Sequence, residues 1–402
     1  MKKITASSNY ESNSLKKTAM FFLALLPLLH WYDIGAPIGL GETFMLIFTV
    51  MAFAKGYFRI KVFPKIFYAL WAYIAFNWYY NNGINAGLSL LPGGPTFFVF
   101  AMIVMGSILL FDFDYLYKIM KWIVLISILI FVFQFILLHT SGTHYCFVPN
   151  LTDRFTYEDM TYAELAARQY KYKNPCAIFM EKSYMAYYLV IFLCLELFYG
   201  KGKDVLFSKL SLLIIFTLLI LKSGSGLIGM VMPVVIKVIS YYWDKKNLRY
   251  VMIILFFLLL TGGIYIYLRT DIGAAMFARQ SEITEEGTSG FSRVVYGYTF
   301  FENLSPIQKV IGTSISNMND LTYLSYAGKN FSVNGIQAPL IQLGIIGLGL
   351  WLLFYIIVIL KTNHLSKLCV LTLFVLSSIE VTYLGPYMVL LTVIPLVNYQ
   401  KI

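Results

Sequence analysis

The feature that most constrains this sequence is a long succession of apolar runs separated by short, often basic turns. TAMFFLALLPLLHW (residues 18–31) is an early run and LWLLFYIIVIL (350–360) a late one. Of the 402 residues, 59% are hydrophobic and 13% charged, and mean hydropathy is +0.72. A soluble domain cannot hide that much apolar surface. Inside lipid, every backbone polar group must be satisfied within the protein, which leaves helices or a closed barrel. A barrel would read as ~10-residue alternating segments, and these runs are continuous. The reading is an all-α, multi-pass transmembrane helical bundle that forms one integral membrane domain over 1–402.

Twelve spans are expected, at roughly 19–32, 38–54, 62–80, 95–111, 118–138, 181–199, 205–221, 225–243, 250–268, 335–360, 366–384 and 386–399. Most approach the ~20 residues that cross a ~30 Å hydrocarbon layer. The first run follows a polar basic tail without a small-residue cleavage site, so it reads as an uncleaved span. Lysine and arginine in short loops set orientation. With the N-terminus inside, twenty of the 31 basic residues fall on inner segments, and the outer loops at 33–37 and 81–94 hold none. That gives N-in, C-in. It also assigns much of the net charge of +11 to the inner membrane face rather than to nucleic acid.

Two outer segments are long: 139–180 and 269–333. Long loops on a compact protein tend to carry function, and both are rich in aromatic residues. TYEDMTYAELAARQY (156–170) reads as a helix, with Thr156 and Asp159 as a capping box and Glu164 and Arg168 as an i,i+4 pair. Phe291–Phe301 reads as a second, amphipathic helix. Both segments are expected to pack over the outer mouth of the bundle. They carry Arg154, Arg168, Arg269, Arg279 and Arg293. A guanidinium stays charged and grips phosphate with a planar fork of donors. The competing reading is that these arginines only pair with nearby carboxylates. LKSGSGLIG (221–229) is a second candidate anion site. Lys222, Ser223, Gly224 and Ser225 would form a turn opening the span at Leu227, and a helix N-terminus binds phosphate readily. A plain hairpin turn is the alternative.

His30, His139, His144 and His364 form no zinc-like spacing, so no metal and no cofactor are expected. Asp112 and Asp114 sit on an inner loop too short to carry a nucleotide-binding domain. Cys146 and Cys176 share an outer segment, where a bridge and two free thiols are both open. Carboxylates within spans are few: Glu42, Glu196 and Glu380, all near span ends.

Three stretches resemble the O-antigen polymerase and ligase superfamily of bacterial envelope enzymes. Asn174-Pro175 with FMEKSYMAYYL (179–189) resembles a Glu-Pro-Ser stretch entering a span, with Glu181 and Ser183 in place and Lys182 where proline is common. KSGSGLIG resembles a Ser-Arg-Thr-Gly turn, with glycine in place of the arginine. Arg279 and Gly290 are separated by ten residues, as in the Arg-x10-Gly pattern of the polymerases; SRVVYGY (292–298) and IGTS (311–314) follow. The resemblance covers about residues 150–360. The first long segment has no Arg-x10-Gly, and 269–333 has no histidine of the ligase kind, which favours polymerase over ligase.

The resemblance implies a nucleotide-independent glycosyltransferase at the outer face of a bacterial inner membrane, making O-antigen, capsule or another exopolysaccharide. It would move a glycan from undecaprenyl pyrophosphate onto a lipid-linked oligosaccharide repeat unit. Arg279 and Arg293 are the expected catalytic cations, with Arg154, Arg168, Arg269, Lys222, the Ser223–Ser225 turn and Gly290 at the pyrophosphate and glycan. Glu181, Glu158 and Asp159 are candidate proton acceptors. A chain-length regulator is a candidate protein partner. The other readings are a flippase for the same lipid-linked units and a ligase.

Overall fold

The computed structural model describes residues 2–34, 39–56, 64–82, 111–155, 160–200, 204–243, 291, 295–314, 333–378 and 385–399. The expected span at 250–268, and that at 95–111 save its last residue, lie outside these residues. The described chain is almost all helix: α1 (Lys2–Leu29), α2 (Leu40–Ala54), α3 (Lys65–Asn82), α4 (Phe113–Thr140), α5 (Tyr162–Tyr172), α6 (Lys182–Phe198), α7 (Lys209–Leu221), α8 (Gly224–Trp243), α9 (Gly297–Glu302), α10 (Pro306–Ile311), α11 (Gln337–Leu360), α12 (His364–Ser377) and α13 (Pro386–Tyr399). A two-residue antiparallel ribbon, β1 (Arg154–Phe155) with β2 (Met160–Thr161), precedes α5.

Among the described residues, three helices are long and apolar enough to cross a membrane: Phe113–Thr140, Gly224–Tyr242 and Gln337–Leu360. Leu40–Ala54, Lys209–Leu221, His364–Ser377 and Pro386–Leu396 are apolar but shorter. α1 begins at Lys2, well before the expected span. KKITASSNYESNSLKK contains neither glycine nor proline, so nothing in it stops the helix.

α6 is the centre. Every residue from Met185 to Leu197 is buried, as a helix with no polar face must be. α8 lies parallel to it. A Cβ on Gly226 would stand 2.5 Å from Ala186 Cβ, and one on Gly229 would stand 3.4 Å from Val190 Cγ1. Gly226 therefore lets α8 close on α6, and Gly229, whose Cβ would stand 2.6 Å from Leu376 Cδ2, lets it close on α12, as small residues do between membrane helices. The same register sets Ser223 level with Ser183, so α6 and α8 begin side by side.

One end of the bundle is capped. Tyr32, just after α1, bridges Phe155, and its hydroxyl donates to Pro149 O at 2.7 Å. Asp33 N–H donates to Arg154 O at 3.1 Å. Trp31 stacks on Tyr184 at 4.8 Å, and Tyr184 on Tyr387 at the start of α13. At the opposite end, Glu196 accepts from Tyr117 and Ser208, and Asp114 accepts from Tyr199. Asp112 caps α4 through Tyr115 N–H at 3.0 Å. The two aspartates thus serve the helix end.

α11 is not one straight span. Gly344 has φ 67°, and the helix breaks there. The freed carbonyls are satisfied by protein, as a break in an apolar layer requires. Ile341 O accepts Thr313 N–H and Gln342 O accepts Ser314 N–H, both at 3.0 Å; Leu343 O accepts Tyr73 Oη–H at 2.9 Å. Asn77 Nδ2 donates to Ile311 O at 2.6 Å. The second long segment was expected to lie over the mouth. Of its described residues, α10 and 312–314 dock into the break between α3 and α11.

Candidate functional site

The cap between α4 and α6 builds the site. α5 is started by a capping box: Glu164 N–H donates to Thr161 Oγ1 at 3.3 Å, and Thr161 N–H to Glu164 Oε2 at 2.7 Å. These bonds hold the Glu164 carboxyl below the usual carboxylate range, with the nearby Arg154 charge adding to them. The expected box at Thr156 and Asp159 falls outside the described residues, and the box that is seen lies later, at Thr161. Glu164 is thereby committed to the cap, and Arg168, its expected partner, reaches Glu181 instead.

From Asn174 to Glu181 the chain is an irregular strap. Two buried glutamines hold it. Gln134 of α4 accepts Cys176 N–H at 3.2 Å and Ala177 N–H at 2.8 Å, and donates to Tyr145 O at 2.8 Å. Gln169 of α5 donates to Met180 O at 3.0 Å and Phe179 O at 3.4 Å. Ala177 is left-handed, φ 54°, a conformation an alanine holds only when its surroundings fix it. Sequence reasoning missed both glutamines. The signal was Gln134, an isolated amide in the apolar run of α4.

The strap delivers Glu181 to the N-cap of α6, where the helix dipole favours a carboxylate. Glu181 Oε1 lies 3.3 Å from Arg168 Nη2, and Ser183 Oγ donates to Oε2 at 3.4 Å. Arg168 and Glu181 are about one-third exposed. They line a cavity of about 220 Å³ with Leu165, Gln169, Tyr172, Asn174 and Met180. Ligand pockets usually reach ~300–1,000 Å³, so this cavity fits a charged head or a single ring, not a whole glycolipid.

His144 is buried beside Gln169, and that burial pushes its imidazole below the ordinary value. Cys146 and Cys176 are free thiols, both pushed up by burial.

Of the residues singled out from sequence, Arg168 and Glu181 meet directly. Arg154 is exposed on β1 and does not line the cavity. Lys222 is exposed in the left-handed position that ends α7, φ 51°. The expected four-residue turn is shorter than read: Gly224 and Ser225 already belong to the first turn of α8. Ser223 and Ser225 are buried, with their hydroxyls 3.2 Å apart. By register, this turn stands level with the start of α6. Arg269, Arg279, Gly290, Arg293, Glu158 and Asp159 lie outside the described residues. No group of three or more potential metal ligands occurs among the described residues. Compared with protein-family models and with curated proteins, the chain matches none.

Proposed function

We propose that this chain is a polysaccharide polymerase of the bacterial inner membrane, with about twelve spans, both termini in the cytoplasm and the capped end facing outward. A glycan on undecaprenyl pyrophosphate is the donor. A lipid-linked repeat unit supplies the attacking hydroxyl, and lipid pyrophosphate leaves. One observation carries the reading: at the end where α6 and α8 begin together, a guanidinium and a carboxylate picked out from sequence meet at a head-sized cavity.

Arg168 is the described cation of the diphosphate clamp, and Glu181 orients it. Arg279 and Arg293 complete the clamp as the catalytic cations. Arg154, Arg269, Lys222, the Ser223–Ser225 turn and Gly290 contribute at the diphosphate and glycan. Donors fixed in advance around developing charge on a leaving group are the largest single source of rate in such chemistry. A chain-length regulator is a candidate partner of the exposed cap.

The test is surface polysaccharide in a deletion strain complemented with wild type, Arg168→Ala, Arg168→Lys, Arg279→Ala or Glu181→Gln. The expected result is single repeat units at the surface and no long polymer for the alanine variants, with lysine restoring little. Full-length polymer in all variants overturns the reading. Absence of repeat units at the outer face points to a flippase, and polymer made but left unattached points to a ligase.

A further inference from the structure

A second constellation lies on the capped end, and the reading from sequence did not use it. His30 follows α1, and Glu42 is the third residue of α2. Nδ1 of His30 is paired with Glu42 Oε1. Glu42 is 7% exposed, and its Oε2 has no hydrogen-bond partner among the described residues. A carboxylate buried at the edge of an apolar bundle is costly without a reason.

The local sequence GLGE (39–42) is shaped for this pair. A Cβ on Gly39 would lie 2.1 Å from His30 O and 2.8 Å from Glu42 Oε2, and one on Gly41 would lie 3.0 Å from His30 N. Two glycines therefore bring the first turn of α2 onto the end of α1. Leu40 N–H donates to Tyr32 O at 2.9 Å and locks the approach. The first-turn position places the carboxylate in the positive field of α2. With Nδ1–H given to a carboxylate, the lone pair resides on Nε2, and the imidazole is oriented as a base. The His30 side chain is 27% exposed, so the ring is not sealed from solvent.

The dyad and the cavity share one apolar floor. Leu29, Tyr32, Leu165 and Met180 pack in a single cluster with Trp31, Leu40 and Tyr184 against it. Leu165 and Met180 line the cavity; Leu29 and Trp31 flank His30. The His30 ring meets Trp31 at 4.6 Å, and Trp31 stacks on Tyr184, one turn from Glu181. Two half-buried aromatic rings, stacked on each other, thus join the base to the Arg168–Glu181 pair.

We infer that His30 is the general base of the polymerisation and that Glu42 is its positioning residue. This rests on the polymerase reading above. The acceptor hydroxyl oxygen bonds to the anomeric carbon of the donor, and its proton passes to His30 Nε2. The bond from that carbon to the pyrophosphate oxygen breaks, and the electron pair leaves with the lipid pyrophosphate at the arginines. Glu42 stabilises the imidazolium until its proton returns to water.

The experiment uses the full-length chain in lipid vesicles, fed lipid-linked repeat units extracted from a deletion strain. Elongation rates are measured for wild type, His30→Gln, His30→Ala, Glu42→Gln, Glu42→Asp and Arg168→Ala. Base catalysis is worth ~10²–10⁴-fold, so His30→Gln is expected to lower kcat at least ~100-fold, with KM near wild type. Glu42→Gln is expected to lower kcat less, and Glu42→Asp to recover part of the loss. Added imidazole is expected to restore elongation to His30→Ala; a residue that only joins α1 to α2 would not respond. Wild-type kcat in His30→Gln overturns the inference while leaving the polymerase reading intact. So does a loss in His30→Ala that imidazole leaves untouched, or a Glu42→Gln rate equal to wild type. If wild type does not elongate, both readings fall.

Discussion

A guanidinium 3.3 Å from a one-third-exposed carboxylate contributes little to stability; such pairs are worth ~0–1 kcal/mol. Arg168→Ala is therefore expected to leave the thermal unfolding midpoint nearly unchanged while removing polymer. Loss of both together would make the residue structural. Gln169 is different. It is buried and holds Met180 O and Phe179 O, and orphaned buried carbonyls cost ~1–3 kcal/mol. Gln169→Leu is expected to lower stability by about that amount and to expose the strap to protease. His144 supplies a pH dependence. Its folded value lies below its unfolded value of about 6.5. The unfolded chain thus binds the proton first, and stability that is full above about 6.5 falls as pH drops below it. Protease protection of residues 141–181 is expected to fall with pH in wild type and to do so less in His144→Gln.

At the scale of elements, most helices were legible because long apolar runs admit little else. Ends and breaks were not. The start of α8 was read at Leu227 because glycine and serine suggest a turn. Packing on α6 makes Gly226 part of the tight face of a helix, a fact of the neighbouring element rather than of the segment. Gly344 was read as one more residue of a span. Its break depends on carbonyls satisfied by Thr313, Ser314 and Tyr73, far away in sequence. Gly226→Val is expected to cost ~1–3 kcal/mol through overpacking in detergent unfolding. Gly224→Ala is the control: its Cβ meets nothing within 4 Å, and a change under ~1 kcal/mol is expected. Gly344→Ala adds a left-handed penalty to a contact of 2.4 Å with Val310 O, and loss of folded protein is the expected result.

At the scale of the molecule, half the site was visible in sequence as residue types without places. Arg168 and Glu181 meet, but across a strap whose glutamine clamps no local pattern announces. The His30–Glu42 pair has no sequence signature, because it forms across the turn between two helices and not at a helical spacing. The proposed sidedness rests on charge counts, and labelling tests it. In a cysteine-free background, Tyr170→Cys on the capped end is expected to react with a membrane-impermeant maleimide added from outside, and Lys361→Cys at the opposite end is expected not to. The most direct measurement of the central claim is elongation by the purified chain. Lipid-linked repeat units are supplied in vesicles without nucleotide, and products are sized by gel. A ladder of products from wild type, with unextended single units from Arg168→Ala, is the expected result. Unextended units from wild type, or the same ladder from Arg168→Ala, would contradict it.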